Sequence, residues 1–390
     1  MESLLGLPMV RKLMNQFAET TGLMSPKKVP RRYLWTDAFA VCNFLELYNQ
    51  TGEAKHLQLA VSLVDQVHNV LGRHRPEDPR KGWISGLEDE EGKKHPTQGG
   101  LRIGKSLDER KPNEPPDEKL EWDRDGQYYH YLTKWMHALH QIGRVTQDSR
   151  FNLWALELAK TAHAHFVYDP GSGRKRMVWK MSIDLSYPVV PSMGHHDPLD
   201  GLVTYRELQS PATKDLKASP EYNLSQEISE MAAICAGKSW VSDDPLGIGG
   251  LLADAYRVFQ LTFDGGHEHF DLLEIMLKSS LPGLKSFLEQ GSLTLPAHYR
   301  LPFREFGLSI GLGAVKRMAR RINNPFEKSA DLTRLEPTIQ QMISYLPLIE
   351  EIEKFWLEPL RQKAETWTDH QDINRVMLAT SLAPDGFLNL

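Results

Sequence analysis

Apolar residues recur at helical spacing along most of the chain, and the clearest example lies between residues 34 and 71. Two helical runs are separated there by Asn49-Gln50-Thr51-Gly52, which is a turn signal. The apolar positions are Leu34, Ala38, Val41, Leu45 and Tyr48 in the first run, and Leu57, Ala60, Leu63, Val64, Val67 and Leu71 in the second. The pattern predicts a helix, a tight turn and a second helix.

The same layout returns between residues 129 and 162, where even the turn is repeated. Thr51, Glu53, Lys55 and Ala60 align with Thr146, Asp148, Arg150 and Ala155. Repeated helical hairpins explain this match best. Further helices are predicted at the N-terminus up to residue 24, where Leu4 and Leu5 begin the apolar stripe, and at 225–237, 246–262, 268–289 with a break at Pro282, 303–321, 335–366 with a break near Pro359, and 371–382.

Two long inserts interrupt the helices, at residues 73–125 and 168–223. The first is rich in Gly, Pro and charged residues, both contain aromatic residues, and residues 176–187 of the second suggest a short β-hairpin. Loops of this length in a compact domain are usually functional. We therefore predict one all-α domain over residues 1–390, in which the two inserts form a loop-rich active face.

Charge and cysteine content narrow the partners and the compartment. The 51 acidic and 46 basic residues are interspersed and give a net charge of -5, which argues against nucleic acid as a partner. No apolar run reaches the ~20 residues of a membrane span, so we expect no membrane partner. Cys42 and Cys235 lie in apolar helical segments, which is typical of reduced core thiols and favours the cytoplasm.

A resemblance to a known superfamily rests on the first hairpin. Its residues are Arg32-Tyr33-Leu34-Trp35-Thr36-Asp37-Ala38-Phe39, Phe44-Leu45-Glu46-Leu47-Tyr48 and Thr51-Gly52-Glu53. In hairpin layout and aromatic helix starts this segment resembles the six-hairpin glycosidase-like proteins and the N-acylglucosamine 2-epimerase group. The resemblance covers the first 170 residues. It implies an α/α toroid, whose inner helices ring a funnel that holds a sugar among aromatic and acidic side chains. It carries over no catalytic residue.

The start of the first hairpin contains two candidate site residues, Trp35 and Asp37. The same spelling returns at Trp367-Thr368-Asp369, which His370 follows. Capping of the exposed amide groups at a helix start is the simpler explanation for Thr and Asp at these positions. The functional alternative is that equivalent helix starts of a toroid face one funnel, where Asp37 and His370 converge.

The densest polar and aromatic run joins the first insert to the second hairpin. It reads Glu121-Trp122-Asp123-Arg124-Asp125-Gly126-Gln127-Tyr128-Tyr129-His130. Aromatic rings stack on the C–H faces of a sugar and acids bind its hydroxyls, so Trp122, Tyr128 and Tyr129 are candidate binding residues and Glu121 and Asp125 candidate acids or bases. Helical spacing places His130, Lys134 and His137 along one side of the helix. The alternative is a helix N-terminus carrying acids that complement its dipole.

The second insert contains Gly194-His195-His196-Asp197-Pro198-Leu199-Asp200-Gly201. No His-x-x-x-His motif or cysteine-rich partner accompanies the adjacent histidines, so a zinc site has little support, and we expect neither a metal nor another cofactor. An acid–base or sugar-contacting loop is the preferred interpretation for His195, His196 and Asp197. Trp83 in the first insert and His298, Arg300 and Arg304 before a later helix are further candidate binding residues. An Arg304–Glu305 salt bridge is the structural alternative.

These residues suit three functions on a small-molecule carbohydrate. Glycoside hydrolysis is favoured, with Asp37 and Asp125 as the carboxylate pair and Glu121 and Asp197 as substitutes, about 6.5–9.5 Å apart in an inverting enzyme. Epimerisation or isomerisation of a free sugar would instead use His130, His195, His196 or His370 as acid and base. A helical ligand-binding scaffold without catalysis is the third alternative. The sequence leaves a homodimer open.

Overall fold

The structure is a computed structural model, and it describes residues 6–25, 30–115, 117–171, 173–209, 220–265, 269–324 and 329–390. The chain divides into two compact units, one formed by Ala18–Gly237 and the other by Met1–Phe17 with Lys238–Leu390. Leu4 and Leu5 of the predicted N-terminal helix lie outside the described residues. The single domain over residues 1–390 and the shared active face of the inserts stay predictions.

Paired helices make up most of the Ala18–Gly237 unit. After α1 (Gly6–Thr20), its elements are α2 (Leu34–Thr51), α3 (Ala54–Leu71), α4 (Asp89–Lys94), α5 (Glu118–Glu121), β1 (Gln127–Tyr128), α6 (Tyr129–Thr146), α7 (Ser149–Phe166), β2 (Val167–Tyr168), β3 (Arg176–Met177), β4 (Lys180–Met181), β5 (Pro188–Val190), α8 (Asp197–Leu208) and α9 (Ser225–Cys235). The two predicted hairpins are therefore confirmed as α2–α3 and α6–α7.

The turns of these two hairpins are built in the same way. Thr51 Oγ1 donates to the Leu47 carbonyl at 2.6 Å and accepts from the Glu53 amide at 3.2 Å. The matching Thr146 contacts, to Ile142 and Asp148, are 2.7 and 3.3 Å. The residue after each threonine is left-handed, with φ of 68° at Gly52 and 57° at Gln147. The repeated sequence therefore encodes a repeated helix end.

Burial separates an inner from an outer helix in the first hairpin. Residues 34–47 of α2 are buried on every side, whereas α3 buries one stripe that includes Leu63, Val64 and Val67. A helix that is apolar all round belongs in a core, and an amphipathic helix covers it. Helix α6 is also buried over most of its length, and its buried residues include polar ones. The first turn of α6 belongs to the site described below.

Short strands connect the two inserts. β1 and β5 pair with β4 on its two sides, all antiparallel, with Gln127 opposite Met181 and Lys180 opposite Val190. β2 pairs with β3 through Val167 and Met177. The hairpin predicted at 176–187 is shifted in the structure, because β4 pairs with β5 over 180–190 and β3 at 176–177 pairs with β2 instead. Since β1 directly follows the first insert and β4 and β5 lie in the second, the sheet connects the end of the first insert to the second.

The second insert contains a helix that the sequence pattern did not predict. Residues 197–208 were expected to be loop, but they form the twelve-residue helix α8. Pro198 in its first turn and acidic side chains at Asp197 and Asp200 are helix-start signals, which outweigh the loop composition before them. Residues 172 and 210–219 of the same insert lie outside the described part of the chain.

The Met1–Phe17 and Lys238–Leu390 unit is also helical. Its further elements are α10 (Pro245–Gly265), α11 (Phe270–Glu289), α12 (Pro302–Ile322), α13 (Ala330–Ile343), α14 (Pro347–Leu357), α15 (Glu365–Thr368), α16 (Gln371–Leu382) and α17 (Asp385–Leu388). The predicted break at Pro282 is wrong, because buried residues on both sides of it, such as Leu277 and Leu284, hold α11 together. The predicted helix 335–366 ends earlier, and Pro347 begins a new one.

Glycines allow two helices of this unit to pack closely. A Cβ added at Gly249 of α10 would lie 2.0 Å from the Gly307 carbonyl oxygen, and one at Gly311 of α12 would lie 2.6 Å from Gly249. Close helix packing therefore explains the glycines at Gly249 and Gly311. In the described residues, no helix has both the length and the apolar character that crossing a membrane requires.

Candidate active site

A cavity of about 580 Å³ lies in the Ala18–Gly237 unit, between the two inserts and the start of α6. Its lining combines aromatic, apolar and titratable side chains from both inserts. The lining residues are Glu121, Trp122, His130, Trp179, Val189, Val190, Pro191, Ser192, Met193, Gly194 and Asp197. An apolar cavity with a few convergent polar groups is the usual form of a small-molecule site.

Helices α6 and α8 supply the titratable groups, which face one another in a series of pairs. From the N-terminal ends onward, these are His130–Asp197 at 3.8 Å, Lys134–Asp200 at 2.8 Å and His137–Glu207 at 2.7 Å. The pairs advance together along both helices, so α6 and α8 are parallel and their first turns lie side by side. His130, Lys134 and His137 share one side of α6, as their spacing predicts.

Asp197 is the buried carboxylate of this series that faces the cavity. The residue is 7% exposed, and its Oδ2 accepts no hydrogen bond from the residues that the structure describes. Burial raises the pKa of Asp197 to about 7, with the Asp200 carboxylate adding to the rise and the Lys134 ammonium opposing it. Near neutral pH this side chain can therefore either donate or accept a proton.

Gly194 makes room for the Asp197 carboxylate. A Cβ at Gly194 would lie 2.4 Å from Oδ2, which is closer than any real Cβ contact. Only glycine lets the backbone approach the carboxylate at this distance. The loop before α8 thus encloses Asp197 without giving Oδ2 a partner.

His130 is the second titratable group of the cavity. Its side chain keeps 34% of its surface accessible and lies beside Asp197. Burial lowers the pKa of His130 to about 4, against the opposing effect of the Asp200 carboxylate, while Lys134 contributes to the lowering. At neutral pH the imidazole is uncharged, which suits a base.

Aromatic rings form one wall of the cavity. The rings of Trp122 and Trp179 are 5.1 Å apart and tilted by 30°, and Trp179 continues to Tyr128 at 4.9 Å. Tyr128 in turn stacks on His130 with ring centroids 5.8 Å apart. Trp122 is 60% exposed, so its ring is open to a ligand. A flat apolar surface beside titratable side chains suits the stacking of a planar or ring-shaped ligand.

Glu121 lines the same cavity but is already paired. Its Oε1 accepts from Arg110 Nε at 2.6 Å, and its Oε2 accepts from the buried Lys180 Nζ at 3.2 Å. Lys180 also donates to the Glu121 carbonyl and lies over the Tyr128 ring. Glu121 therefore contributes a carboxylate that two cations hold in place.

The fold of the chain has known relatives among solved structures. No family model and no curated protein matches the sequence. An inactive variant of an alpha-1,6-mannanase of Salegentibacter sp. HEL1_6, in complex with alpha-1,6-mannotriose, matches over 97% of this chain and 99% of its own, with a TM-score of 0.54 and 11% identity. A D-mannose isomerase matches over 98% of both chains, with a TM-score of 0.52 and 12% identity.

The fold is an α/α toroid. The fold-level resemblance to six-hairpin glycosidase-like proteins is confirmed, and with it the predicted all-α class. At this level of identity the toroid is what the chain shares with its relatives. The relatives include both a hydrolase and an isomerase, so the toroid alone selects neither reaction.

Two aspartates predicted as the catalytic pair of the toroid have partners within the chain. Asp37 accepts from the Tyr33 amide at 2.9 Å, and Arg32 lies 3.4 Å from it, so it caps the start of α2. Asp125 is fully buried and accepts from Arg102 at 2.8 Å and from the Gly104 amide at 2.9 Å. Neither lines the cavity described above, and their catalytic roles stay predictions.

The other predicted residues of the Ala18–Gly237 unit lie around the site at different depths. Trp35 is buried, and its ring is 6.4 Å from Tyr131. Trp83 is buried beneath the Arg73 guanidinium, and Tyr129 is buried with its hydroxyl on Tyr205. His195 is exposed and His196 precedes α8, with the two rings 4.5 Å apart, yet the cavity lining includes neither.

The predicted residues of the other unit have local partners. The Arg300 guanidinium pairs with Glu305 at 2.6 Å beneath the Trp356 indole, and Arg304 pairs with Asp244 at 2.6 Å. The expected alternative of an Arg304–Glu305 bridge is replaced by these two pairs. His298 and His370 are exposed, and His370 lies beside the Phe303 ring. Their sugar-binding and catalytic roles stay predictions.

Two lining residues of the cavity were not predicted from the sequence, namely Trp179, which contacts Trp122, and Met193. Trp179 lies between β3 and β4, inside the segment recognised only as a hairpin, and Met193 lies in the loop before α8. A tryptophan inside a loop-rich insert was the available signal. In the described residues no group of three or more His, Cys, Asp or Glu side chains is arranged to hold a metal ion.

Proposed function

We propose that the chain is a carbohydrate-active enzyme that uses Asp197 and His130 as its acid–base pair. The single observation that carries the proposal is the buried Asp197 carboxylate, whose Oδ2 has no hydrogen-bond donor among the described residues and whose Oδ1 lies 3.8 Å from His130. A buried polar atom without a partner is costly in a fold, and active sites are where such costs are retained. The alpha-1,6-mannanase and the D-mannose isomerase support a sugar as the substrate.

Proton transfer on a free sugar is the reaction that this pair favours. A sugar stacked on Trp122 and Trp179 would present its polar edge to Asp197 and His130. Neutral His130 would take a proton from the carbon next to the carbonyl, while the Asp197 carboxylic acid gives a proton to the carbonyl oxygen. Transfer of the His130 proton to the other carbon of the resulting enediol, with the second hydroxyl giving its proton to the Asp197 carboxylate, completes an isomerisation. Delivery of that proton to the other face of the original carbon, with the first hydroxyl proton returning to Asp197, completes an epimerisation.

Glycoside hydrolysis is the second candidate, because Glu121 lines the same cavity. In this reaction the Asp197 acid would protonate the leaving oxygen, and the Glu121 carboxylate would activate a water or attack the sugar. Each Glu121 oxygen accepts one cationic donor and keeps a second lone pair. The pairing with Arg110 and Lys180 restrains this side chain, which is why hydrolysis ranks second.

A proton NMR time course in heavy water tests the proposal and separates the two reactions. The wild-type protein is incubated with free hexoses and pentoses, with uronates and hexose phosphates, and with α- and β-linked disaccharides. Deuterium at the carbon next to the carbonyl, or a new free sugar, indicates isomerisation or epimerisation, whereas new anomeric signals from a cleaved disaccharide indicate hydrolysis. No conversion of any of these sugars would contradict the proposal.

The variant Asp197→Asn provides the matched test of the residue. It keeps the shape of the side chain and removes the titrating group, so turnover should fall about 10²–10⁴-fold. Asp271→Asn is the control, because this aspartate of α11 is exposed and does not line the cavity. Equal turnover by wild type and Asp197→Asn would exclude Asp197 as the acid or base.

A further inference from the structure

Lys105 is a half-buried cation close to the candidate site. Its Nζ lies 5.4 Å from the centre of the Tyr33 ring and makes no ion pair or hydrogen bond with the residues that the structure describes. Burial lowers the pKa of Lys105, and the nearby Asp123 and Asp125 carboxylates oppose this effect. A partly desolvated ammonium of this kind gains from a bound anion.

The backbone of Lys105 is fixed in position. Its amide donates to Asp125 Oδ1 at 3.3 Å, and its carbonyl accepts from Arg75 at 2.8 Å. Asp125 itself is held by Arg102, so its charge is already compensated. These hydrogen bonds fix the backbone of Lys105 and leave its ammonium available. Residues that bind a ligand need supporting contacts of this kind.

Two tyrosines connect Lys105 to the acid–base pair. The hydroxyls of Tyr33 and Tyr131 are 2.6 Å apart, at the starts of α2 and α6. The Tyr131 ring lies 4.6 Å from the His130 ring. Consecutive contacts therefore connect Lys105 to His130 through the two tyrosines.

We propose that Lys105, together with the Tyr33 and Tyr131 hydroxyls, binds an acidic substituent of the sugar, either a carboxylate or a phosphate. The proposal rests on the proposed function, because the sugar ring is taken to lie at Trp122 and His130. The ammonium supplies the charge and the hydroxyls supply neutral donors. The substrate class is then an acidic sugar, such as a uronate or a sugar phosphate.

Calorimetric titration with matched sugars tests this subsite. The ligands are a neutral hexose, the corresponding uronate and the 6-phosphate, each in the gluco and manno series, and all proteins carry Asp197→Asn to prevent turnover. With Lys105 present, one of the acidic forms should bind about 10- to 100-fold more tightly than the neutral hexose, as expected for a charge-assisted hydrogen bond. A tighter uronate identifies a carboxylate ligand, and a tighter 6-phosphate identifies a phosphate.

The substitution Lys105→Met should reduce the ratio of acidic-sugar affinity to neutral-hexose affinity to about one and leave the neutral-hexose affinity unchanged. Lys105→Arg should retain most of the preference for the acidic sugar. Lys119→Met, which removes an exposed lysine of the same insert, is the control. Equal affinities of neutral and acidic sugars, a preference that survives Lys105→Met, or no binding of any acidic sugar would each overturn the subsite. Turnover of the same neutral and acidic sugars by the wild-type protein decides the proposed function separately.

Discussion

Asp125 and Asp197 are both buried in the Ala18–Gly237 unit, but their surroundings differ. Asp125 accepts hydrogen bonds from Arg102 and from the Gly104 and Lys105 amides, and Arg75 lies 3.6 Å away. Asp197 has His130 at 3.8 Å, and its Oδ2 accepts no bond from the described residues. Asp125 therefore has donors that hold the first insert in place. Asp197 Oδ2 lacks such a donor, and a bound ligand could supply one.

The difference indicates that burial alone does not identify a catalytic carboxylate. A carboxylate satisfied by arginine and backbone donors contributes to stability, since breaking a buried pair leaves an uncompensated charge. A carboxylate that is buried without donors costs stability and persists where chemistry uses it. Substitutions at the two positions should therefore have opposite effects on folding.

The largest expected effect is the loss of stability in Asp125→Ala. The change leaves Arg102 buried without its partner, so the free energy of unfolding should fall by about 3–5 kcal/mol. Chemical denaturation followed by circular dichroism measures this change. Asp123→Ala is the matched control, because Asp123 is exposed and its removal should change stability by less than about 0.5 kcal/mol. Equal effects of the two substitutions would contradict the structural role of Asp125.

The opposite change is expected for Asp197→Asn at alkaline pH. The folded-state pKa of Asp197 is raised from 3.8 to about 7, so the folded protein binds this proton more tightly than the unfolded chain. The contribution of Asp197 to stability therefore falls as the pH rises from about 4 to about 7 and is constant above that range. Since one pKa unit corresponds to about 1.4 kcal/mol, Asp197→Asn should be more stable than wild type at pH 8 by at most about 4 kcal/mol.

Denaturation of both proteins at pH 4.5 and pH 8 checks this sign. The stability difference should be small at pH 4.5, where the wild-type side chain is a neutral acid, and should grow toward pH 8. A difference that does not depend on pH would mean that Asp197 titrates normally, and the contrast with Asp125 would then disappear.

The rate of sugar conversion should also depend on pH in a defined way. Activity that needs neutral His130 and protonated Asp197 should fall below about pH 4, where the imidazole gains a proton, and above about pH 7, where the carboxyl loses one. Each limb should approach a tenfold fall per pH unit. Initial rates between pH 3.5 and pH 9, measured with a protein shown to remain folded, test this profile, and a rate that rises through pH 8 would contradict the acid role of Asp197.

The smallest effect concerns the aromatic wall. Trp122→Ala removes an exposed ring that stacks on Trp179, so the dissociation constant of the sugar should rise about tenfold while the free energy of unfolding stays nearly constant. Leu120→Ala, at a similarly exposed apolar position just before the cavity, is the control. Equal sugar affinities of the two variants would move the ligand away from the tryptophan pair.

Features that depend on residues close together in the chain could be predicted from the sequence. The α2–α3 and α6–α7 hairpins follow from apolar spacing, and their matching turns follow from Thr51 and Thr146, which bond within one helical turn. The break predicted at Pro282 failed because packing by distant parts of the unit outweighs the local cost of a proline. Helix α8 was missed because the loop composition of the insert was given more weight than Asp197, Pro198 and Asp200.

The site was only partly predictable because its chemistry depends on long-range partners. Asp125 and Asp197 look alike in the sequence, and both were listed as candidates. Arg102, which neutralises Asp125, is distant in the chain and could not be paired with it. The isolation of Asp197 depends on the close approach of Gly194, which is a neighbour in the sequence, and on the parallel packing of α6 and α8, which leaves no local signal.

The most direct test of the account is the pKa of the Asp197 carboxyl, measured by carbon-13 NMR titration of the carboxyl signals with Asp197→Asn used for assignment. The account predicts a pKa of about 7 in the free protein and a change in that value when a sugar fills the cavity. A pKa near the ordinary value of about 4 that no sugar alters would mean that the carboxylate has a partner in solution, and would contradict Asp197 as the acid of the site.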